Sequence, residues 1–303
     1  NLNNYYDPIL KERRLEQLKA HKNFKFLKVD ICNIESIEFN LRPFKVSQII
    51  HLAAQAGVRH SISNPRDYLN NNIIGFFNIL EYARANSVEH LTYASTSSTY
   101  GANRMLPFAE KNHADHPIQF YAATKRANEL MAHSYSCIYG LPTSGLRFFT
   151  VYGPWGRPDM ALFKFTKNIL AGKEIDIFNH GKHIRDFTYV DDIVDGIITV
   201  SQNSPKGNKD WDPINPDPSS SFAPFEVYNI GNSEPVELMT YVSLIEEFLD
   251  KKAKLNFLPL QKGDVENTIS DISKISHLGY QPTTNVRAGV KSFLDWYIDC
   301  HGE

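Results

Sequence analysis

The alternation of short apolar runs with longer amphipathic stretches limits the fold of this chain more than any other feature. Helical patterns at 67–85 and 119–139 separate apolar runs that are too short to form buried helices. Strands that alternate with helices pair in parallel and are covered on both faces, so this order predicts an α/β fold. The runs that predict its strands are Phe24–Val29, Ser47–Leu52, Val88–Ala94 and Pro142–Phe149.

The second half of the chain has a different pattern. After about residue 150 the predicted elements become short and mixed, and the polar segment Asn203–Pro224 contains five prolines. Its composition is compatible with a disordered loop and with an ordered insertion. A last amphipathic helix is predicted at Val286–Ile298. With 303 residues, the chain is long enough for one or two domains.

Composition excludes several classes of protein. Lys and Arg number 32 against 34 Asp and Glu, a net charge of −2, so nucleic acid and anionic membranes are not predicted partners. No apolar run reaches the roughly 18 residues of a membrane span. The cysteines Cys32, Cys137 and Cys300 are odd in number and far apart, which indicates a reduced, cytoplasmic protein. The histidines show no metal-ligand spacing, and no metal is predicted.

A tyrosine and a lysine one helical turn apart carry the first chemical signal. Tyr121 and Lys125 share one face of a predicted helix, where an ammonium can lower the pKa of a phenol and make it a base. The hydroxyl run 95–99 follows a predicted strand and can hydrogen-bond the same substrate oxygen. The group would remove a proton from an alcohol. The plainer interpretations are a surface pair and a capped turn.

Seven ordered landmarks, at plausible spacing along nearly the whole chain, resemble the extended short-chain dehydrogenase/reductase superfamily. The resemblance is strongest to its nucleotide-sugar epimerases and dehydratases. The landmarks are Val29–Ile31, His51–Gln55, Asn71–Asn78, the hydroxyl run before Tyr100–Gly101, the Tyr121/Lys125 pair, Arg147–Pro154 and Arg185–Asp192.

This resemblance implies an architecture and a cofactor. Residues 1–155 would form a Rossmann-type doubly wound parallel sheet that binds NAD. Residues 156–303 would form a smaller C-terminal α/β substrate-binding domain, with some segments returning to the first. The polar segment then looks like a family insertion. A homodimer is expected, through a helix bundle that includes the Tyr–Lys helix.

The segments 53–59, 150–160 and 227–232 are similar to the UDP-glucuronate 4-epimerase subgroup. That similarity implies NAD-dependent epimerisation at C4 of a UDP-hexuronic acid, UDP-glucuronate to UDP-galacturonate, through a 4-keto sugar. The implied catalytic residues are Thr96, Tyr121 and Lys125. A dehydratase of this family has an Asp–Glu pair after the catalytic Thr, and here Ser97 and Ser98 follow. Epimerisation of a neutral UDP-hexose or UDP-N-acetylhexosamine and decarboxylation of UDP-glucuronate remain alternatives.

The resemblance also assigns residues to the cofactor. Asp30 could instead cap the helix after its strand, the 51–55 segment could be strand-end packing, and Asn71 could tie loops together. The implied NAD-binding residues are Asp30, Ile31, Leu52, Ala53, Ala54, Gln55, Asn71 and Phe148, together with Tyr121 and Lys125.

A second set is implied to bind the UDP-sugar. A guanidinium fork at Arg157, with Thr150 near it, suits a uronate carboxylate, and Arg59 is a weaker candidate for that role. Arg185 could instead form an ion pair with Asp186, and turn chemistry explains Asp264 almost as well. The full set is Ser97, Ser98, Thr150, Arg157, Phe178, Arg185 and Asp264.

One departure from the family pattern concerns the N-terminus. The family opens with a strand, a glycine-rich turn and a helix that hold the dinucleotide pyrophosphate, and this chain contains no such motif. The sequence is therefore expected to be incomplete, lacking roughly the first βαβ portion. The alternative is a protein that has lost its cofactor anchor and acts as a non-catalytic sugar-nucleotide-binding module.

Overall fold

The computed structural model describes residues 1–302. The helices are α1 Pro8–Lys19, α2 Ile34–Leu41, α3 His60–Ser63, α4 Pro65–Tyr68, α5 Gly75–Ala85, α6 Phe120–Tyr139, α7 Ala161–Leu170, α8 Val190–Gln202, α9 Leu238–Leu249, α10 Ser273–Ser276 and α11 Val286–His301. The strands are β1 Gln48–His51, β2 His90–Thr96, β3 Thr143–Phe148, β4 Thr150–Tyr152, β5 Glu174–Ile177, β6 Ile184–Tyr189, β7 Phe225–Ile230, β8 Pro235–Glu237, β9 Lys254–Phe257 and β10 Asn267–Thr268.

The main sheet has the order β1-β2-β3-β7, and every pair in it is parallel. Helices α5 and α6 connect its first three strands, as the sequence pattern predicts. In the register of the sheet Thr96 lies beside Phe148, and Phe148 lies beside Ile230. The carboxyl ends of these strands therefore meet at one edge, where ligands of parallel α/β folds bind. The predicted α/β class is confirmed.

Two predicted elements differ in the structure. Phe24–Val29 forms no strand: within the described residues no strand pairs with it, and Val29 packs with the helices against the core instead. Apolar burial alone does not make a strand, which needs a neighbour for its backbone hydrogen bonds. The helix predicted at 67–85 is interrupted by a π-helical turn at Leu69–Ile74. Such turns are frequent at functional sites.

Helix α6 buries more polar than apolar side chains. Thr124, Lys125, Asn128 and Glu129 are buried on the face that meets the main sheet and the π-helical turn. The helix ends at Gly140, whose left-handed φ of 64° closes its last turn. Buried polar groups are costly unless they are partnered, so this face needs a hydrogen-bond network or a ligand.

The second half forms two smaller sheets, β10-β6-β4 with β8 antiparallel to β6, and β5-β9. Strand β7 returns to the main sheet, so the chain crosses between the two regions; the boundary at residue 155 stays a prediction. The polar segment is ordered: Ser219 and Ser221 are buried, and the Lys274 ammonium donates to the Ser219 carbonyl at 3.1 Å. In residues 1–302 no helix combines the length and apolarity that crossing a membrane requires.

Candidate active site

Lys125 lies on the inner face of α6, at the carboxyl edge of the main sheet. Its side chain is 1% exposed, and no acceptor within residues 1–302 takes a hydrogen bond from its ammonium. Burial lowers the pKa of Lys125 to about 8, against the opposing charge of Glu129. The same ammonium adds to burial in lowering the pKa of His51 to about 3. The hydrogen-bond donors of the buried Lys125 ammonium are thus free to bind a ligand.

Tyr121 lies one turn earlier and packs edge-on against Tyr68, with ring centroids 6.0 Å apart. Burial raises the pKa of the Tyr121 phenol, whereas the Thr96 hydroxyl and the Arg157 guanidinium lower it. Lys125 is not among the groups that shift this pKa, and its effect on the phenol stays a prediction. The Lys125 charge lowers the pKa of His51, and the charge of Glu129 raises the pKa of Lys125. An i, i+4 pair shares a helix face without its charged ends having to meet.

Thr96 ends β2 and brings its hydroxyl to the Tyr121 phenol. It is buried, and its oxygen also accepts a hydrogen bond from the Ser98 amide at 3.2 Å. The capping and the catalytic interpretations of this residue are therefore compatible. Ser97 and Ser98 follow on a 3-10 turn and are partly buried. Their hydroxyls have no protein partner in the described part of the chain.

A buried ion pair that the sequence analysis missed links the strands of the main sheet to helix α6 beside the catalytic residues. Arg147 on β3 donates two hydrogen bonds to Glu129, at 2.9 and 2.8 Å, and both side chains are fully buried. The Ser95 hydroxyl donates to the same carboxylate at 2.6 Å. The network ties the strand that carries Thr96 to the helix that carries Tyr121. The available signal was spacing, since Glu129 follows Lys125 by four residues on one helix face.

Asn72, rather than Asn71, is the buried asparagine that ties loops together. Its side chain exchanges hydrogen bonds with the Gln55 backbone at 2.8 and 3.1 Å and donates to the Thr124 hydroxyl at 3.0 Å. Its own carbonyl accepts from Asn128 at 2.6 Å. Asn72 therefore locks the loop after β1 to helix α6. Asn71 is partly exposed and donates to the Asp67 carbonyl.

The cleft beside this loop has a volume of about 770 Å³ and suits a polar ligand. Asp30, Gln55 and Asn71 line it, as predicted for the cofactor. The buried Gln55 side-chain nitrogen has no partner among the described residues. A hydrogen bond from Asn1 and one from the Cys32 amide lower the pKa of Asp30, which keeps it an anion able to accept from ribose hydroxyls. The unpartnered Gln55 nitrogen and the Asp30 anion fit NAD.

The other predicted cofactor residues do not line the cleft. Leu52 and Ala53 are exposed at the end of β1, Ala54 is partly buried, and Phe148 packs against the core. Ile31 fills the space beside Gly75, where a Cβ would lie 2.6 Å from its side chain. Contacts of these five residues with NAD stay a prediction.

The predicted substrate residues divide into two groups. Thr150 begins β4, and Arg157 follows in the loop that faces Tyr121. The second group is Phe178, Arg185 and Asp264. The Arg59 guanidinium lies 5.1 Å from the centre of the Phe178 ring. Arg185 forms its ion pair with Asp264, at 3.1 Å.

The alternative interpretation of Arg185, an ion pair with Asp186, is therefore wrong, and its predicted contact with the diphosphate stays a prediction. Asp186 is fully buried and accepts hydrogen bonds from the Thr188 hydroxyl, from the amide and the hydroxyl of Ser270, and from the two amides of the 232–233 turn. Those five donors satisfy its carboxylate on the side of β6 away from Arg185, because neighbouring strand residues point to opposite faces. Asp186 is a structural anchor that the sequence analysis did not identify.

Comparison with known proteins agrees with this geometry. The model of the NAD dependent epimerase/dehydratase family matches residues 2–231. Protein CapI of Staphylococcus aureus is 50% identical over 300 residues, covering 99% of this chain and 90% of that protein. A probable UDP-glucuronate 4-epimerase of Rhizobium meliloti is 46% identical over 295 residues, covering 97% and 86%. The crystal structure of the Bacillus cereus UDP-glucuronic acid 4-epimerase with UDP-glucuronic acid and NAD has a TM-score of 0.84, 31% identity and coverages of 97% and 87%.

The parallel sheet, the cleft at its carboxyl edge and the Thr96–Tyr121–Lys125 group define an NAD-binding enzyme of the Rossmann type. The chain belongs to the NAD dependent epimerase/dehydratase family. Its resemblance to the extended short-chain dehydrogenase/reductases is thereby confirmed, and NAD is its cofactor.

Proposed function

We propose that the protein interconverts the C4 epimers of a UDP-hexuronic acid, UDP-glucuronate and UDP-galacturonate. The observation that carries the proposal is the convergence of Thr96, Tyr121 and Arg157: a hydroxyl and a guanidinium both act on the phenol. Relatives that share 44 to 46% identity with this chain carry the name UDP-glucuronate 4-epimerase, which supports the same substrate.

Bound NAD would accept hydride from C4 and return it to the opposite face of the 4-keto sugar. Tyr121, as phenolate, takes the proton of the C4 hydroxyl, and Thr96 hydrogen-bonds the C4 oxygen. The buried Lys125 ammonium, which has no acceptor of its own among residues 1–302, would donate to the nicotinamide ribose. Once NAD is bound, Lys125 would supply positive charge near the phenolate.

Arg157 would read the carboxylate at C5. A guanidinium fork binds a carboxylate with two parallel hydrogen bonds. These bonds orient the sugar and hold its carboxylate in a position that disfavours loss of carbon dioxide from the 4-keto sugar. Ser97, Ser98 and Thr150 would contact the sugar, while Phe178, Arg185 and Asp264 would hold the uridine diphosphate. Residues 1–155 are proposed to bind NAD, and 156–303 mainly to bind the UDP-sugar.

The test is turnover of UDP-glucuronate, with the products separated by chromatography. UDP-galacturonate is the expected product, and a UDP-pentose with release of carbon dioxide would instead identify a decarboxylase. Tyr121→Phe is expected to remove nearly all turnover, and near wild-type turnover would refute the mechanism. Arg157→Leu should lower activity on UDP-glucuronate far more than on UDP-glucose. NAD released on denaturation separates the enzyme from a binding module, which would hold none.

We also propose that a second copy of the chain covers the outer face of α5 and α6. This face exposes apolar side chains: Phe77 is 45%, Leu130 57% and Ile138 72% exposed. Such a stripe on neighbouring helices is suited to a helix bundle. Leu130→Asp should convert the dimer to a monomer in sedimentation experiments, and a wild-type monomer would refute the interface.

The three separate free cysteines support a cytoplasmic location.

A further inference from the structure

Asp159 is shared between a cation and a phenol at the substrate side of the site. Its Oδ1 meets the Arg157 Nε at 3.4 Å, and its Oδ2 accepts a hydrogen bond from the Tyr5 hydroxyl at 3.3 Å. Tyr5 and Arg157 both lie in loops, and Tyr5 is 154 residues from Asp159 in the sequence. We call Tyr5, Asp159 and Arg157 the Arg157 latch.

The remaining edge of the Arg157 guanidinium is open to a ligand. One terminal nitrogen meets the Met160 sulfur at 3.3 Å, and no oxygen of residues 1–302 accepts from either terminal nitrogen. A Cβ at Gly57 would lie 3.6 Å from the Tyr68 hydroxyl and 3.7 Å from the Asp159 Oδ2, and the Tyr68 ring packs against Tyr121, so Asp159 and its partner lie on the side of the catalytic phenol. A substrate carboxylate therefore meets a guanidinium whose terminal nitrogens bind no protein oxygen and whose Nε alone faces Asp159.

The ion pair between Arg157 and Asp159 is weak by its geometry. The two side chains are 29% and 30% exposed, and their 3.4 Å separation admits no good hydrogen bond. By contrast, Arg147 and Glu129 are fully buried and meet at 2.8 Å. Exposed pairs of the first kind contribute little to stability, so Arg157 can leave Asp159 at small cost.

The N-terminal segment places Tyr5 for this contact. Arg14 on α1 donates to the carbonyls of Trp155 and Gly156, which clamps the helix onto the loop that carries Arg157. Gly57 leaves room for the phenol, since a Cβ there would lie 2.6 Å from the Tyr5 hydroxyl. The position of Tyr5 is thus determined by two separate parts of the fold.

We propose that Asp159 holds Arg157 while no carboxylate is bound, and that the Tyr5 hydroxyl becomes the partner of Asp159 when Arg157 turns to the substrate. Asp159 then competes with the substrate carboxylate, and Tyr5 weakens that competition. The latch releases the carboxylate each time the 4-keto sugar has to turn over between the two hydride transfers. This inference rests on the proposed function, and it assigns selectivity for a uronate to two residues beyond Arg157.

The test measures affinities in a Tyr121→Phe background, where the base is absent and the ligand stays intact. NAD-loaded protein is titrated calorimetrically with UDP-glucuronate and with UDP-glucose. Asp159→Asn removes the competitor and should tighten UDP-glucuronate binding about threefold to fivefold. Tyr5→Phe leaves Arg157 as the sole partner of Asp159 and should weaken UDP-glucuronate binding by a similar factor. Affinity for UDP-glucose should change by less than about twofold in both variants.

Asp299→Asn is the matched control, because it removes an exposed carboxylate on α11 that has no partner in the described chain. Unchanged affinity for UDP-glucose shows that each variant is folded. Shifts in the same direction, equal shifts for both ligands, or no shift at all would overturn the latch. If UDP-glucuronate is not preferred even before these substitutions, the role of Arg157 and the latch both fail. If it is preferred, those outcomes refute the latch alone.

Discussion

Replacing Arg147 by methionine tests the buried ion pair beneath the catalytic group. The substitution preserves most of the apolar volume but leaves the Glu129 carboxylate with Ser95 and Arg126, of which Arg126 is partly exposed. Removing one partner of a buried pair costs about 3–5 kcal/mol, because the remaining charge stays buried. Since Arg126 still meets the carboxylate at 2.8 Å, the lower value applies, about 3 kcal/mol.

The measurement is a double-mutant cycle in urea with Glu129→Leu, under reducing conditions. Each single variant should lose about 3 kcal/mol, while the double variant should regain at least about 2 kcal/mol of the summed loss. Arg84→Met is the control, because its ion pair with Glu81 is exposed and should contribute less than about 1 kcal/mol. Additive losses, with no coupling between Arg147 and Glu129, would refute the reasoning.

Three further predictions follow from the same site. Lys125→Met should abolish turnover yet stabilise the protein by about 3 kcal/mol at pH 7; the gain should vanish as the pH rises from 8 toward 10.5, because the lowered folded pKa is a penalty present only while the amine is charged. Calorimetric melting at pH 7 and pH 10 checks this, and equal gains at both would contradict it. Asn72→Ala should cost about 3 kcal/mol and reduce the NAD retained on purification, since the Gln55 backbone loses its partners; full NAD content would contradict the second part. Finally, burial raises the pKa of Glu129, but the Arg147 guanidinium outweighs it and holds that pKa at about 2. The ionised Glu129 carboxylate therefore contributes its full stability above about pH 4.5, and this contribution is lost as the pH falls toward 2. The Glu129→Leu, Arg147→Met double variant should show a shallower loss of stability in acid urea titrations.

Local patterns were sufficient for most of the main sheet. Three of its predicted strands and the Tyr–Lys helix lie within about two residues of their predicted bounds, because period and turn chemistry are local properties. The run Phe24–Val29 failed for the converse reason. Its apolar residues pack against helices, and strand formation depends on a partner that no local pattern specifies.

The predicted site shows the same division. The Thr96 hydroxyl acts on the Tyr121 phenol, and Asp30, Gln55 and Asn71 line the cleft, while their contacts with substrate and NAD stay predictions. The ion pair of Arg185 with Asp264 joins residues 79 positions apart, and a motif cannot choose between this partner and the adjacent Asp186. The buried roles of Glu129 and Asn72 were also missed, since neither residue type signals burial.

The amino-acid sequence by itself determined the α/β class, the family and the residue types of the catalytic group. Each of these rests on spacing along the chain, which a helix turn or a strand end converts directly into proximity. Only the tertiary structure decided which charges meet: Arg147 with Glu129, Arg185 with Asp264, and Asp159 between Arg157 and Tyr5. The reason is physical, because pKa values and ion pairs depend on burial and on distances between atoms that the fold brings together from remote segments.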